Sequence, residues 1–489
     1  MTERAAHPTA EDTRAAAAEY SPPAGSIPTL DVPDLSGVLR VHMIGIGGAG
    51  MRNLARLLMS RGISVTGCDL KESPGLTALR RAGAGVEVGH ALQHIDAEDA
   101  VIVSSAIREW NVELEEAHRR GIRVWARAQV LAASARGLRL IAIAGTHGKT
   151  TTTSMVAVIL ERSDLDPTYV IGGDLNEMGG GTRAGAGDLF VVEADESDGS
   201  FLLLEPTVGV VTNVDVDHVD FYAGGREEIE AAFGAFADRC RRLVACDDDP
   251  GARAVATRFD GTRVTYGTGP GSDLRLSVLS PGPGGARGVI EANGERIDLQ
   301  LRIDGVHNLL NAAGAIAAAR EVGVDPVPAA EALRVFGGVH RRFEYRGSVR
   351  GVAFYDDYGH VPKELEVTLE VARRLEPARL IAVFQPHRYS RTDALWRELG
   401  AALVEADVVV VMDVYGAEQE PIPGVTGRLV ADGVRRAAPE KQVWYLPTGG
   451  EVVGFLVREA RAGDLVITMG CGDVWMFGRV AQERLREGP

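Results

Sequence analysis

The sequence has few cysteines, and none of them belongs to a recognisable metal or disulfide motif. Cys68, Cys240, Cys246 and Cys471 are scattered through 489 residues, without a CxxC pair or a zinc-finger spacing. So few separate thiols are typical of a reducing compartment, where disulfides are rare. We interpret all four side chains as small buried hydrophobic groups.

Long apolar runs are also missing. No stretch approaches the ~18–20 apolar residues that a membrane helix needs, and residues 1–38 lack the basic start and apolar segment of a signal peptide. This Ala-, Pro- and acid-rich segment is predicted to be a mostly disordered tail. We therefore expect a cytoplasmic protein that does not bind membranes. Whether it is a monomer or a homodimer stays open.

Basic charge is in deficit. The formal net charge is −16, which argues against non-specific binding to nucleic acid or to an anionic membrane. An anionic ligand remains compatible with this charge, because a local phosphate site overrides the global field. The 45% hydrophobic content supplies enough apolar material for several cores.

Apolar strands alternate with helical segments along most of the chain, which predicts an α/β fold with mainly parallel sheets. We predict three domains: a Rossmann-like N-terminal domain over residues 39–137, a central P-loop ATPase-like domain over 138–337, and a Rossmann-like C-terminal domain over 338–489. Residues 261–304 are rich in Gly and Pro with short alternating segments, which favours an antiparallel patch on the central sheet.

A short phosphate-binding loop follows the first strand of the central domain. A generic P-loop has a glycine where this chain has Ile143, so only a shorter loop remains. Its predicted nucleotide-binding residues are Gly145, Thr146, His147, Gly148, Lys149, Thr150 and Thr151. Backbone N–H groups at the start of a helix bind phosphate, and Lys149 can reach the terminal phosphates. The alternative is a plain capped helix.

Two later strands of the central domain end in acidic segments. In an open parallel sheet these ends lie at the same edge as the phosphate loop. Carboxylates near phosphates require a cation, and Mg²⁺ prefers oxygen ligands while tolerating an imidazole. We predict Thr150, Glu193 and His218 as ligands of Mg²⁺, with Mn²⁺ as a possible substitute. The alternative is a solvated acidic loop.

A second glycine-rich loop, GIGGAG, lies between the first strand and the first helix. Gly45, Gly47, Gly48 and Gly50 fit the GxGxxG pattern, and Asp69 ends the next strand at the position of a ribose-binding acid. The residues alone leave three interpretations open: a dinucleotide such as NAD(P), a nucleotide-diphosphate substrate, or a structural turn.

Further polar clusters occur at helix starts and strand ends of the second half of the chain. Asn308 and Asn311 open a helix, where an Asn caps the helix or contacts a base. A basic pair includes Arg342 at the predicted domain boundary. The remaining candidates follow two strands of the C-terminal domain: Asp357, His360, His387, Arg388 and Arg391.

Together these motifs resemble the Mur ligase family, and within it the branch that adds L-alanine. The resemblance extends over everything after the tail. The matching strings are GIGGAGM, SSAI, GTHGKTTT, EADESDGSF, HNLLN, RRFE, DDYGH, FQPHRYSRT and DVYGA. Many relatives read DDYGHHP where this chain has Val361. The EADESDGSF segment has no lysine, whereas branches that add later amino acids often use a carbamylated lysine as a metal ligand.

The resemblance implies a substrate for each domain. The N-terminal domain would hold the UDP part of UDP-N-acetylmuramate through the glycine loop, with Asp69, Ser104 and Ser105 nearby. The central domain would bind ATP and magnesium, with Asn308 and Asn311 near adenine. Arg342 would contact an ATP phosphate, and Asp357 and His360 would face ATP. His387, Arg388 and Arg391 would hold the amino-acid carboxylate and the transferring phosphate.

The reaction implied is the ATP-dependent joining of L-alanine to the muramoyl carboxylate through an acyl phosphate, a step in peptidoglycan precursor synthesis. Lys149, Glu193 and His360 are the predicted catalytic residues. Two rival functions remain: a ligase that attaches a recycled peptide to the same sugar nucleotide, and a NAD-binding dehydrogenase or regulatory module. The separate phosphate loop argues against the second rival.

Overall fold

The computed structural model describes most of the chain after the first thirty residues. The described ranges are 31–104, 107–172, 181–215, 221–222, 224–282, 285–341, 343–417 and 419–487. The chain divides into two compact units. The first consists of Met1–Ser280, Arg287–Leu301 and Val306–Phe336, and the second of Pro281–Ala286, Arg302–Gly305 and Gly337–Pro489.

The first sheet of unit 1 has five parallel strands in the order β3-β2-β1-β4-β5. Its strands are β1 (Arg40–Ile44), β2 (Ser64–Asp69), β3 (Gly85–Val88), β4 (Ala100–Val103) and β5 (Arg123–Ala126). The accompanying helices are α1 (Ala49–Ser60), α2 (Pro74–Arg81), α3 (Val112–Arg120) and α4 (Arg127–Ser134). The strand order reverses at β1, so the glycine loop after β1 lies where such sheets bind ligands.

The second sheet of unit 1 has ten strands in the order β15-β14-β13-β12-β11-β10-β6-β9-β7-β8. These are β6 (Arg139–Ala144), β7 (Thr168–Val170), β8 (Thr182–Arg183), β9 (Leu189–Glu193), β10 (Val208–Val211), β11 (Arg242–Cys246), β12 (Thr262–Gly267), β13 (Leu274–Ser280), β14 (Arg287–Ala292) and β15 (Glu295–Gln300). Strands β13, β14 and β15 pair antiparallel, as the Gly- and Pro-rich composition predicted.

The helices that accompany the ten-stranded sheet bury mostly apolar or small side chains. They are α5 (Lys149–Arg162), α6 (Arg226–Asp238), α7 (Pro250–Arg258), α8 (Val306–Arg320) and α9 (Pro326–Ala332). Helix α5 is buried continuously from Thr151 to Leu160. A helix buried on all sides shows little amphipathic pattern, which is why its sequence reads as apolar and small rather than striped.

Unit 2 contains a six-stranded sheet in the order β16-β17-β21-β18-β19-β20. Its strands are β16 (Glu344–Val349), β17 (Val352–Asp357), β18 (Arg379–Phe384), β19 (Val408–Val411), β20 (Gln442–Tyr445) and β21 (Asp464–Met469). Its helices are α10 (Pro362–Arg373), α11 (Tyr389–Ala402), α12 (Gly427–Ala437), α13 (Gly449–Glu459) and α14 (Val474–Glu487).

Both faces of this sheet are covered by hydrophobic side chains. Leu380 and Phe384 belong to the core on one face, and Ile381 and Val383 belong to the core on the other. A parallel sheet that is covered on both faces needs continuous apolar strands, as in the all-valine β19. Only β16 pairs antiparallel, at the edge of the sheet.

The predicted α/β class with three mostly parallel sheets is confirmed. Strands β3, β7, β8 and β16 were not predicted from the sequence. The predicted tail, residues 1–38, also ends too late, because the backbone of residues 31–33 is hydrogen-bonded to the rest of the chain. The carbonyl of Asp31 accepts a hydrogen bond from Gln129, and Arg136 donates to the carbonyls of Val32 and Pro33.

In the part of the chain that the structure describes, no helix combines the length and hydropathy needed to cross a membrane.

Candidate active site

The phosphate loop connects β6 to α5, and two of its glycines are required by close contacts. Gly145 has φ +137, and a Cβ there would lie 2.0 Å from Thr212 Oγ1. Gly148 has φ +81, and a Cβ there would lie 2.6 Å from Asn311 Oδ1. The loop can therefore pack against Thr212 and Asn311 only because these two positions carry no side chain.

The end of β10 holds the loop in place. Asn213 accepts a hydrogen bond from the His147 N–H at 2.8 Å and donates one to the His147 carbonyl at 2.9 Å. Thr212 donates to the same carbonyl at 2.6 Å. The hydroxyl of Thr146 accepts from the Asp215 N–H at 2.9 Å. The loop conformation is thus fixed by side chains before any ligand arrives.

Lys149 lies at the first position of α5 and forms a buried ion pair. Its Nζ is 2.9 Å from both carboxylate oxygens of Glu196 and donates to the Gly145 carbonyl at 2.6 Å. Burial by itself would lower the pKa of Lys149, but the carboxylates of Glu196, Asp195 and Glu193 outweigh it and raise the pKa. The ammonium is therefore charged and directed toward the loop.

Thr150 and Glu193 lie together, as predicted for a metal site. The Thr150 hydroxyl donates to Glu193 Oε1, and the Gly172 N–H donates to Glu193 Oε2. Two oxygen donors of this kind beside a phosphate loop fit Mg²⁺. The third predicted ligand, His218, lies outside the described residues.

The other central-domain candidates lie on α5 and α8. Thr151 is buried in the first turn of α5, and Asn308 lies in the first turn of α8. Asn311 lies one turn further along α8. Its side-chain oxygen would be 2.6 Å from a Cβ atom at Gly148. Asn311 therefore lies directly beside the phosphate loop.

The glycine loop after β1 is held by the end of β2. Gly45 has φ +76 and Gly47 donates its N–H to Asp69 Oδ2 at 2.9 Å. Asp69 therefore supports the loop itself, and a Cβ at Gly47 would lie 2.6 Å from that oxygen. Arg52, in α1, donates to the Gly47 carbonyl at 2.8 Å.

The remaining candidates near this loop lie at the ends of neighbouring elements. Gly48 precedes α1 and Gly50 lies in its first turn, where a Cβ would meet Arg127 at 3.4 Å. The hydroxyl of Ser104, after β4, would be 3.7 Å from a Cβ on Gly45. Ser105 lies outside the described residues.

In unit 2, Asp357 ends β17 and is buried. One carboxylate oxygen accepts from the Phe343 N–H at 2.8 Å, and the other accepts from the Gly359 N–H at 2.7 Å and from Thr368 at 3.1 Å. These bonds fix the turn that carries His360. Arg342, the neighbouring candidate, lies outside the described residues.

His360, His387, Arg388 and Arg391 are brought together in unit 2. The rings of His360 and His387 are 5.8 Å apart, and Tyr415 stacks on His387 at 5.9 Å. Arg391 Nη1 lies 3.4 Å from His387 Nδ1.

The electrostatics divide this group into neutral and charged members. Burial, together with His360, Arg391 and Arg388, lowers the pKa of His387 to about 3. His387 is therefore neutral near pH 7, and the guanidinium groups carry the positive charge. Arg388 has φ +67, a sparsely populated conformation for a residue with a side chain, which the fold maintains at a cost of ~1–3 kcal/mol.

Several residues of the site were not assigned a role from the sequence. Glu196, Thr212, Asn213 and Arg52 all hold the two loops through hydrogen bonds or ion pairs. The strings EADES and TNV contained a signal for the first three, because polar side chains at the carboxyl ends of β9 and β10 must lie beside the loop after β6.

Three family models match successive parts of the chain. They are described as the Mur ligase family catalytic domain at residues 40–139, the Mur ligase middle domain at 143–319, and the Mur ligase glutamate ligase domain at 341–472.

Curated relatives match over almost the whole length. UDP-N-acetylmuramate–L-alanine ligase from Kineococcus radiotolerans is 49% identical over 450 residues, covering 90% of this chain and 94% of its own. The enzyme of that name from Desulforamulus reducens is 44% identical over 455 residues, covering 92% and 98%.

Solved structures agree with this likeness. UDP-N-acetylmuramate-alanine ligase from Thermotoga maritima has a TM-score of 0.80 at 28% identity, covering 92% of this chain and all of its own. A murein peptide ligase from Psychrobacter arcticus has a TM-score of 0.71 at 25% identity, covering 91% and 98%.

The Gly148→Ala substitution tests the geometry of the phosphate loop. Gly137→Ala is a matched control, because Gly137 has φ +80 but no atom near the position of a Cβ, whereas at Gly148 the methyl group also displaces Asn311. Both variants carry left-handed strain of ~1–2 kcal/mol. We expect Gly148→Ala to weaken ATP binding at least about tenfold, measured by calorimetry in the presence of Mg²⁺. Equal ATP affinity in the two variants would contradict this account of the loop.

Proposed function

The chain belongs to the Mur ligase family, and we propose that it joins L-alanine to the carboxylate of UDP-N-acetylmuramate at the expense of ATP. The observation that carries the proposal is the convergence of Lys149, Thr150 and Glu193 on one phosphate loop. Identity of 44–49% over about nine-tenths of the chain to relatives of that name supports the choice of substrates. A reaction that consumes ATP is expected in the cytoplasm.

We assign one task to each predicted domain. Residues 39–137 hold the UDP moiety at the glycine loop, which leads into the N-terminus of α1, and a helix N-terminus suits a diphosphate. Residues 138–337 bind ATP and Mg²⁺ through the phosphate loop. Residues 338–489 hold the amino acid and the transferring phosphate through Arg388 and Arg391. UDP rather than NAD(P) is assigned to the first site because of the likeness to the Mur ligase family and because the chain also carries a separate phosphate loop with Thr150 and Glu193 beside it.

In the first step, a carboxylate oxygen of the muramoyl group attacks the γ-phosphorus of ATP. A new O–P bond forms, the bond to the β-phosphate oxygen breaks, and ADP leaves. The charge on the phosphoryl oxygens is stabilised by the Lys149 ammonium and the N–H groups of the loop. Thr150 and Glu193 would hold Mg²⁺, which supplies further charge neutralisation when bound.

In the second step, the amine of alanine attacks the acyl carbon and phosphate leaves. The amine must lose a proton to a base, and His360 is our candidate. Its Nδ1 lies 3.3 Å from the carboxylate of Glu364, which orients the ring. Neutral His387 is a weak base, so we assign it to positioning, beside the two arginines that bind the alanine carboxylate.

The direct test is phosphate release from ATP with UDP-N-acetylmuramate, Mg²⁺ and each standard amino acid in turn. We expect release that requires both the sugar nucleotide and L-alanine. Release with a tripeptide but with no single amino acid would instead identify the ligase that recycles peptides. Absence of release in every mixture, together with a change in NADH absorbance, would replace the proposal with a dehydrogenase.

Lys149→Ala removes the cation that faces the transferring phosphate. We expect the variant to fold, because Glu196 can take up a proton in its buried position, and to lose at least about a hundredfold in kcat. Lys441→Ala, in unit 2, is the control and should keep the parent rate. Phosphate release measures kcat, and circular dichroism shows whether each variant is folded. Parent-like turnover in Lys149→Ala would remove the phosphate loop from the mechanism.

Arg391→Ala tests the amino-acid site. Loss of a charge-assisted hydrogen bond costs ~1.5–3 kcal/mol, so we expect the KM for L-alanine to rise about tenfold to a hundredfold. The KM for UDP-N-acetylmuramate should stay within about twofold. Arg397→Ala, on the exposed side of the same helix, is the matched control. A KM for alanine that is equal in the two variants would exclude Arg391 from carboxylate binding.

A further inference from the structure

A group of imidazole, thiol and carboxylate side chains lies where α3 packs against the first sheet of unit 1. None of these side chains is assigned above to the reaction. His42 is on β1, Cys68 is on β2 and Glu113 is in the first turn of α3, and all three are almost completely buried. His90 and His94 follow β3 and are partly exposed. The group lies behind the glycine loop, because the Cys68 carbonyl accepts the N–H groups of Gly45 and Ile46.

Glu113 is the centre of this group. The Cys68 thiol donates to Glu113 Oε2 at 2.6 Å, and His90 Nδ1 lies 2.9 Å from the same oxygen and 3.1 Å from the sulfur. His94 Nδ1 lies 2.6 Å from Glu113 Oε1. The buried carboxylate therefore contacts one thiol and two imidazole rings.

One ring nitrogen of His42 is buried without a hydrogen bond to any described residue, which a hydrogen-bonded network alone does not explain. Its Nδ1 is 2.9 Å from the Thr66 hydroxyl, which fixes the ring. Its Nε2 is buried, has no hydrogen-bond partner among the described residues and lies 3.8 Å from Glu113 Oε2. A buried polar nitrogen without a partner is uncommon in folded proteins. Here it is directed at a thiol and a carboxylate.

We propose that His42, Cys68 and Glu113 bind a zinc ion, with His90 or His94 as the fourth ligand. One donor atom from each of the first three side chains lies within 4.8 Å of the others. Tetrahedral zinc with bonds of about 2.0–2.3 Å holds its ligand atoms roughly 3.3–3.8 Å apart. The Cys68–Glu113 separation of 2.6 Å therefore needs to open by about 1 Å, whereas the His42–Glu113 separation of 3.8 Å already lies in this range.

The chemistry of the donors selects the metal. A thiolate with imidazole and one carboxylate suits Zn²⁺ and is a poor site for Mg²⁺, which prefers oxygen ligands in an octahedron. Binding releases the proton of the Cys68 thiol, so the sulfur coordinates as thiolate. Thr66 supports His42 from behind, as partners of metal-bound imidazoles usually do. Partly exposed His90 and His94 provide the entry path. The proposal is independent of the proposed function.

Cobalt(II) is the probe, because it replaces zinc and reports thiolate ligation in its spectrum. The full-length protein, stripped of metal with a chelator, is titrated with Co²⁺ in the presence of excess Mg²⁺. We expect a near-ultraviolet thiolate-to-cobalt band that saturates at one Co²⁺ per chain and disappears when Zn²⁺ is added. Cys68→Ser should lose the band, whereas Cys471→Ser, which changes a partly exposed thiol outside this group, should keep it.

Cys68→Ser and Cys471→Ser are compared with the parent protein by circular dichroism and thermal melting without metal, to verify that both variants fold. His42→Asn provides a second variant, which keeps the thiol and should weaken Co²⁺ binding at least about tenfold. The proposal is wrong if the parent protein shows no thiolate band at stoichiometric Co²⁺. A band that is undiminished in Cys68→Ser, or Co²⁺ affinity unchanged in His42→Asn, would overturn it equally.

Discussion

The buried ion pair between Lys149 and Glu196 is the interaction on which the candidate active site depends. The side chain of Glu196 is 3% exposed and that of Lys149 is 16% exposed, so each charge would be costly to bury without the other. The pair fixes the lysine beside the carbonyl of Gly145, at the start of α5, whose N-terminus suits phosphate. In the proposed reaction, phosphate oxygens would compete with Glu196 for an ammonium that is already in position, which limits the reorganisation that binding requires.

The same architectural device occurs twice in unit 1. In each sheet a glycine-rich loop follows the strand at which the strand order reverses, and the end of a neighbouring strand holds that loop. Asp69 does this for the loop after β1, and Asn213 does it for the loop after β6. Both loops lead into the N-terminus of a helix, so both suit phosphate, and the second also has Lys149 and the oxygens of Thr150 and Glu193 beside it. That difference separates a site suited to binding a diphosphate from a site suited to transferring a phosphoryl group.

In unit 2, a neutral histidine, His387, lies beside the guanidinium group of Arg391. Burial, together with the neighbouring His360, Arg391 and Arg388, lowers the pKa of His387 and keeps its ring uncharged. Arg388 adopts a strained backbone conformation that its N–H bond to the Tyr415 carbonyl helps to maintain. Strain of this kind persists only where the surrounding structure determines it, and it is concentrated at functional sites.

The sequence by itself determined the α/β class, the two glycine-rich loops and the identity of Lys149, Thr150 and Glu193, because these features depend on local spacing and on apolar periodicity. Only the tertiary structure decided which distant side chains hold them. Glu196 is 47 residues from Lys149, Asn213 is 66 residues from His147, and Glu113 is 45 residues from Cys68. The cysteine that we interpreted as a small hydrophobic group from its isolated position lies against a carboxylate and an imidazole. Such contacts are set by strand order and by register between strands, which no local pattern in the chain encodes.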